Sequence, residues 1–320
     1  VGATFRARAG RQTATALTAV GIFDGLSLEY GRKWRVGAFT GSQPDVRDFG
    51  LSGAVREHGL WLDWRETAEG SSRWRLTTGV VGSYTEGEIN RENLVLQARY
   101  SGPRLFVSAI QDVDLNRGWK ADAGESAVSV TSSFVTARYL VTERLSLDGG
   151  VDTRRSIRFY RDRETPETEF DDTYREGYWT GIVLRPSRSS RIGAQARRTT
   201  GGSSGDADTG TLTASNTWPS FRNLRIRLRS TGYRNETLSG WLHAVGVGLD
   251  VRNGIHADIG GGVRDESGLT RNAAADDIRW YSLDVDYRLT RAWFLLVSLE
   301  RTLDADVSSD QVFLSGLYRF

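Results

Sequence analysis

Hydrophobic and polar residues alternate with a period of two along nearly the whole chain. In "NLRIRLRS", Leu224, Ile226 and Leu228 fall on one side and Arg225, Arg227 and Arg229 on the other. "HAVGVGLDVR" sets Val245, Val247, Leu249 and Val251 against Ala244, Gly246, Gly248, Asp250 and Arg252. "SLDVDYRL" sets Leu283, Val285, Tyr287 and Leu289 against Asp284, Asp286 and Arg288. A two-residue period is that of a strand with two different faces, and helical spacing is almost absent. Many of these segments exceed the usual strand of about five or six residues.

The pattern predicts about eighteen strands, with sixteen as the second choice. They fall near 3–11, 20–31, 33–41, 59–68, 73–86, 93–102, 104–115, 126–141, 144–156, 174–187, 190–202, 208–220, 223–236, 239–252, 254–267, 276–290, 292–304 and 309–320. Connections are expected to alternate. Tight ones fall near Arg32, Gly102-Pro103, Thr142-Glu143, Ser187–Ser189, Phe221-Arg222, Asn253 and Arg291. Long ones fall at 42–58, 87–92, 116–125, 157–173, 203–207, 268–275 and 305–308. Alternating ten-residue segments with short turns on one side and long loops on the other are the signature of a transmembrane antiparallel up-and-down β-barrel. Pro103, Pro186 and Pro219 sit at tight turns and Pro44 and Pro166 in long loops, so no proline interrupts a strand interior.

Composition supports this against hydropathy. Mean hydropathy is −0.42, and the longest apolar run, "WFLLVSL" from Trp293, is far short of the roughly 20 residues a membrane helix needs. The apolar faces, however, carry aromatics in two bands. Tyr30, Trp34, Trp64, Trp74, Tyr100, Tyr139, Trp218, Tyr287, Trp293 and Tyr318 fall toward the short turns, and Tyr84, Tyr178, Trp241 and Tyr281 toward the long loops. Rings with a polar edge settle at both membrane interfaces. The bland alternative, a soluble sandwich or propeller, has no need of two such bands.

Among 320 residues there is no Cys, which removes disulfides and thiolate chemistry. A net charge of +2 argues against a nucleic-acid partner. No cofactor or metal motif is present: "DGGV" and "IGGGV" lie inside strands, not between a strand and a helix. Nor does a lipase-like or protease-like motif surround His58, His243 or His256, so no catalytic site and no enzyme is expected. The acidic loops could hold divalent cations or bridge to lipopolysaccharide; solvated loops are the bland reading.

The polar face is the informative one. Arg191, Arg197, Arg225, Arg227, Arg229, Asp250, Asp258, Asp284, Asp286 and Arg288 are the candidate pore-lining residues. Inward arginines outnumber inward acids over the whole chain. Cross-strand Arg–Asp pairs in a structural wall are the bland reading; the surplus of Arg predicts a positive lumen that draws anions. Arg225, Arg227 and Arg229 form a ladder about 13 Å long at roughly 3.3 Å per residue.

The chain stops on "QVFLSGLYRF", with Val312, Leu314, Gly316, Tyr318 and Phe320 on one face. This ending resembles the C-terminal assembly signal of Gram-negative outer-membrane β-barrels, porins among them. The glycine, Gly316, comes about one position later than is usual there. The resemblance is specific to the class and does not single out a subfamily. It implies a bacterial outer-membrane location, and the even strand count places both chain ends on the short-turn, periplasmic side. The implied partners are membrane lipid, lipopolysaccharide, the barrel-assembly machinery and periplasmic or envelope proteins. Leu314, Gly316, Tyr318 and Phe320 would be the residues the machinery reads.

One barrel domain over 1–320 is expected. An outer-membrane channel passing small hydrophilic, preferably anionic solutes is the leading functional expectation, with the 157–173 loop as a candidate constriction. The alternatives are the C-terminal barrel of a larger export or envelope machine, such as a polysaccharide exporter, or a structural anchor with a plugged lumen.

Overall fold

The computed structural model describes residues 4–14, 16–17, 20–45, 47–66, 70–160, 175–201, 205–269, 276–304 and 308–319. It is all-β: one antiparallel up-and-down sheet of eighteen strands, with one short helix, of a single turn, among the elements described in full. The strands are β1 (Thr4–Thr13), β2 (Ile22–Gly31), β3 (Trp34–Ser42), β4 (Val55–Arg65), β5 (Arg73–Thr85), β6 (Glu88–Ser101), β7 (Leu105–Leu115), β8 (Val128–Leu140) and β9 (Leu145–Arg154). They continue with β10 (Arg175–Leu184), β11 (Ser190–Thr200), β12 (Ala207–Trp218), β13 (Leu224–Asn235), β14 (Leu238–Arg252), β15 (Ile255–Gly268), β16 (Asp276–Arg288), β17 (Trp293–Leu303) and β18 (Ser308–Tyr318). The helical turn α1 is Trp119–Asp122. No helix among the described residues is long and apolar enough to cross a membrane, which says nothing of crossing by strands.

Eighteen strands is the count the alternation predicts, and the sixteen-strand reading falls. Two strand starts differ by four or more residues. The long loop expected at 87–92 is strand: β5 and β6 are joined by Glu86-Gly87 alone, at φ 55° and 87°. Two consecutive positive φ values make the tight turn whose twist matches that of the flanking strands, and glycine fills the second position. The polar run "EINREN" hid this, because its strand carries charge on both faces. β4 likewise begins at Val55, so His58 lies inside a strand. With β13–β14 also closed by two residues, the long and short connections alternate less regularly than expected.

By its internal contacts the chain divides into two compact units. The first comprises Val1–Tyr139, Gly149–Tyr178 and Gly201–Ser204, and the second Leu140–Asp148, Trp179–Thr200 and Gly205–Phe320.

In the first unit, β1 through β8 pair in sequence order. One face is apolar and exposed, with Val36, Leu60 and Val80 at 52%, 59% and 45%. The cross-strand partners Trp34 and Trp64 bring their ring centroids to 6.0 Å, and Trp74 and Tyr100 to 4.8 Å. Such pairs add about 0.5–1.5 kcal/mol beyond the area they cover.

The opposite face departs from the expectation of a uniformly polar lining. Phe23, Phe39, Trp61, Val81 and Val95 point to it, and the β1–β2 connection folds over them through Ala16, Leu17 and Val20. Glycine supplies the room. Gly37 lies beneath the Trp61 ring and Gly59 beneath Phe39, while a side-chain carbon on Gly79 would come within 2.7 Å of Leu17. The first connection thus folds onto this wall; of the expected 157–173 constriction, 161–173 lies outside the described residues, and Tyr160 donates its backbone N–H to Asn90 Oδ1 at 3.0 Å.

In the second unit, β11 through β18 pair in order. Its apolar face includes Leu212, Leu228, Val245, Ile259, Val312 and Leu314, all exposed. Trp293 and Tyr318 are cross-strand partners with centroids 4.9 Å apart. The other face is again mixed at its far end, where Phe294 pairs with Leu317 and Phe313 with Ser298. Here "WFLLVSL" and "VFLSGL" have apolar residues on both faces, and alternation alone misread them.

Candidate functional site

The polar face is built by strand parity: residues two apart on one strand, and directly paired residues on the next, share a side. In the first unit this gathers Arg35, Asp63, Arg65, Arg75, Thr77 and Arg99. Asp63 is fully buried and accepts five hydrogen bonds. They come from Arg35 Nε and Nη2 (3.0 and 2.5 Å), Arg65 Nε (2.9 Å), Arg75 Nε (2.7 Å) and Thr77 Oγ1 (2.7 Å). Arg35 also donates to Glu29 at 2.6 Å. Three guanidinium groups thus share two carboxylates, an arrangement that holds strands β2 to β5 in register and leaves net positive charge on the wall. Nearer the long connections, Asp114 takes Arg91 at 2.7 Å and Thr131 at 2.9 Å, and Trp119 of α1 donates through Nε1 to the Ile89 carbonyl at 2.7 Å. Arg117 outside the strands grips Glu92 with two bonds of 2.6 Å, which raises its pKa above the ordinary arginine value.

In the second unit the register puts all the candidate pore-lining residues on one face. Arg191 pairs with Ser215, Ser215 with Arg227, Arg227 with Gly246, Gly246 with Gly260 and Gly260 with Ser282. One residue pair along run Arg225, Gly248, Asp258 and Asp284. Arg197, Arg229, Asp250, Asp286 and Arg288 share this parity. The charges are only partly segregated. Arginines stand on β11 and β13 and carboxylates on β14 to β16, where Arg264 and Arg288 share the face, and Gly246, Gly248, Gly260 and Gly262 leave room on β14 and β15.

Only one rung of the expected ladder is neutralised. Arg227 reaches across β14 to Asp258, with Nη2 at 2.5 and 2.6 Å from its two oxygens. Gly246 is the floor of that bridge, since a side-chain carbon there would sit 3.2 Å from the guanidinium. Arg229 donates to Thr231 at 3.2 Å. Among the described residues neither Arg225 nor Arg229 makes an ion pair. Strand β12 separates the ladder from Arg191 and Arg197, so those arginines are not its immediate neighbours. The side chain of Arg197 lies over the Trp179 ring at 6.0 Å.

Two further placements correct the sequence reading. A bulge between Asp250 and Arg252 sets Arg252 opposite Ile255, which removes it from the inward alternation. His256 pairs with Asp250, Nδ1 to Oδ1 at 2.9 Å, and Asn223 donates to the same carboxylate at 2.6 Å. The fold brings them together because β14 and β15 turn at Asn253-Gly254, a proximity the spacing of six hinted at. His58 and His243 lie on the apolar face, one bonded to Thr40 Oγ1 at 2.7 Å and the other stacked on Trp241 at 5.9 Å. No group of three or more metal-ligating side chains occurs among the described residues.

Trp218, Trp241, Tyr287 and Trp293 lie on the second unit's apolar face, as do Leu314, Gly316 and Tyr318. Tyr139 is exposed at the end of β8. Phe320 lies outside the described residues.

The two faces respond oppositely to substitution. Val247→Arg places a charge on the apolar face and is expected to cost about 2–4 kcal/mol near a bilayer midplane. Gly246→Ser should leave the strand intact and displace Arg227 from Asp258. A lipid-refolding titration reads the first and a nitrogen NMR shift of the Arg227 guanidinium the second; equal destabilisation by both would place the faces wrongly.

No protein-family model matches the chain, and no curated protein matches it. Solved outer-membrane proteins do resemble it. OccK1 of Pseudomonas aeruginosa is 10% identical, covering 99% of this chain and 96% of its own, with a TM-score of 0.48. An anion-selective porin from Comamonas acidovorans is 13% identical over 99% and 95%, at 0.45. A bacterial polysaccharide outer-membrane secretin is 9% identical over 90% and 97%, at 0.45. At such identities and scores the resemblance says nothing of solute or partner.

Proposed function

We propose that this chain is an outer-membrane channel of the porin kind, closed as one barrel, with its short turns and both chain ends toward the periplasm. One observation carries this reading. A single sheet presents large apolar residues and paired aromatics on one face, exposed strand after strand, and arginine–carboxylate networks on the other. Soluble monomers rarely expose contiguous apolar patches beyond a few hundred Å². In a bilayer the same surface is satisfied by lipid, and all backbone groups by strand pairing. Around eighteen strands enclose more volume than side chains fill, which leaves an aqueous passage.

The solutes would be small, hydrophilic and preferably anionic. Arg225 and Arg229 support that preference, because among the described residues neither makes an ion pair, although Arg225 feels the charge of Asp250, while Arg227 is spent on Asp258. Fixed cations facing acids across a glycine floor attract anions to one side of the passage.

In planar bilayers under a low-salt gradient, the reversal potential should show weak anion preference. The preference should fade near 1 M salt, where screening shortens to about 3 Å. Replacing Arg225 and Arg229 together by Gln should lower it further without unfolding the wall. A cation-selective wild type contradicts the reading. Folded, inserted protein that conducts nothing favours instead the plugged anchor, to which the inward fold of Leu17 lends support.

A further inference from the structure

Along β11–β18 the two edges of the sheet differ in charge and in how that charge is met. At the edge of the β12–β13, β14–β15 and β16–β17 turns stand Arg222, Arg252 and Arg291, with Arg188 before β11 and Arg319 after β18. All five are exposed. Among the described residues none of them makes an ion pair, and Arg222 spends one nitrogen on the Val251 carbonyl at 3.1 Å. The acid closest in sequence, Asp250, is already held by Asn223 and His256.

At the opposite edge four arginines have carboxylate partners, while the exposed Arg234 makes no ion pair among the described residues. There Arg198 meets Asp206 (3.4 Å), Arg264 meets Glu266 (3.6 Å), Arg279 meets Asp277 (2.9 Å) and Arg301 meets Asp310 (3.6 Å). The contrast marks the turn edge as the one where all five guanidinium groups, not one, are left for something outside the chain.

What lies beside those arginines says what it is. Trp218 and Phe221 precede Arg222, Leu289 and Trp293 flank Arg291, and Tyr318 precedes Arg319. These apolar and aromatic side chains are exposed, Phe221 at 65% and Trp293 at 50%. Turns two strands apart stand about 10 Å from each other, so each arginine meets a separate anion. A soluble polyanion would have no use for the aromatic collar. A phospholipid uses both parts: its phosphate accepts two guanidinium hydrogen bonds and its chains lie along the apolar face below.

We propose that this turn edge is a docking surface for anionic phospholipid headgroups in the leaflet it faces. The proposal rests on the membrane reading above, and its test separates the two. The full chain is inserted in vesicles of phosphatidylcholine and phosphatidylglycerol, and lipids retained on the extracted protein are counted by native mass spectrometry. Insertion itself is scored by protease protection in phosphatidylcholine alone; failure there overturns the membrane reading and this one with it. Inserted wild type should retain phosphatidylglycerol over phosphatidylcholine by on the order of tenfold. Arg188, Arg222, Arg252 and Arg291 all changed to Gln should erase the preference, and Arg198, Arg279 and Arg301 changed to Gln should not. Inserted protein without headgroup preference, or equal loss in both variants, overturns the docking surface and leaves insertion standing. So does complete displacement of the lipid by inorganic phosphate, which would make the edge a simple ion site.

Discussion

Replacing Asp63 by alanine is expected to destabilise the folded chain by about 3 kcal/mol, the low end of the range for breaking a buried ion pair. The carboxylate is fully buried and is the common acceptor of Arg35, Arg65, Arg75 and Thr77. Without it, Arg35 stays held at 13% exposure, with Glu29 as its remaining carboxylate beside the Trp61 ring. Arg65 and Arg75, at 45% and 36%, can turn toward water, which keeps the loss from growing larger. Urea titration of the lipid-inserted protein measures this. Adding Arg35→Met to the Asp63→Ala chain should recover part of the loss, because the stranded charge goes with it. A change within about 0.5 kcal/mol would mean that the network contributes nothing to the wall.

Leu17→Ala is expected to weaken the docking of the first connection by about 2–5 kcal/mol. Leu17 is 1% exposed and touches the strand face at Gly79 and the cluster around Trp61 and Phe39. Because the connection is not part of the ladder, the loss should appear as local release, not as a lower global unfolding midpoint. Faster hydrogen exchange over residues 14–21 with Trp61 emission shifted to the red is the expected pair of signals. If the connection narrows the passage, single-channel conductance should rise in the same variant. Unchanged exchange would show that the cluster does not hold this segment.

The fold was legible in the sequence to an unusual degree, because a two-faced strand writes its environment into every second residue. "NLRIRLRS" and "SLDVDYRL" became β13 and β16 with the faces their alternation assigns. Reading failed wherever both faces carry one kind of residue. "EINREN" carries polar residues on both faces around Ile89 and reads as a loop, and "VFLSGL" carries apolar residues on both faces around Ser315, which hides Phe313 and Leu317 on the inner side. The inward aromatics Phe23, Phe39 and Trp61 were masked by glycines opposite them, since periodicity registers the hydrophobe but not the hollow that receives it. The ladder of Arg225, Arg227 and Arg229 was visible, but its single neutralised rung was not. Arg227 and Asp258 lie 31 positions apart, and only the register of three strands joins them.

Pairing every strand with its chain neighbour has a consequence for how such a protein can change over generations. A hairpin is a self-contained module: duplicating or deleting one shifts no other register and returns both ends of the chain to the edge they began on. Single-strand changes would instead reverse the direction of everything downstream. Wall size in this architecture should therefore evolve in steps of two, with the Arg227–Asp258 bridge as a constraint. It ties β13 to β15 across β14, so new modules are best accommodated outside that trio.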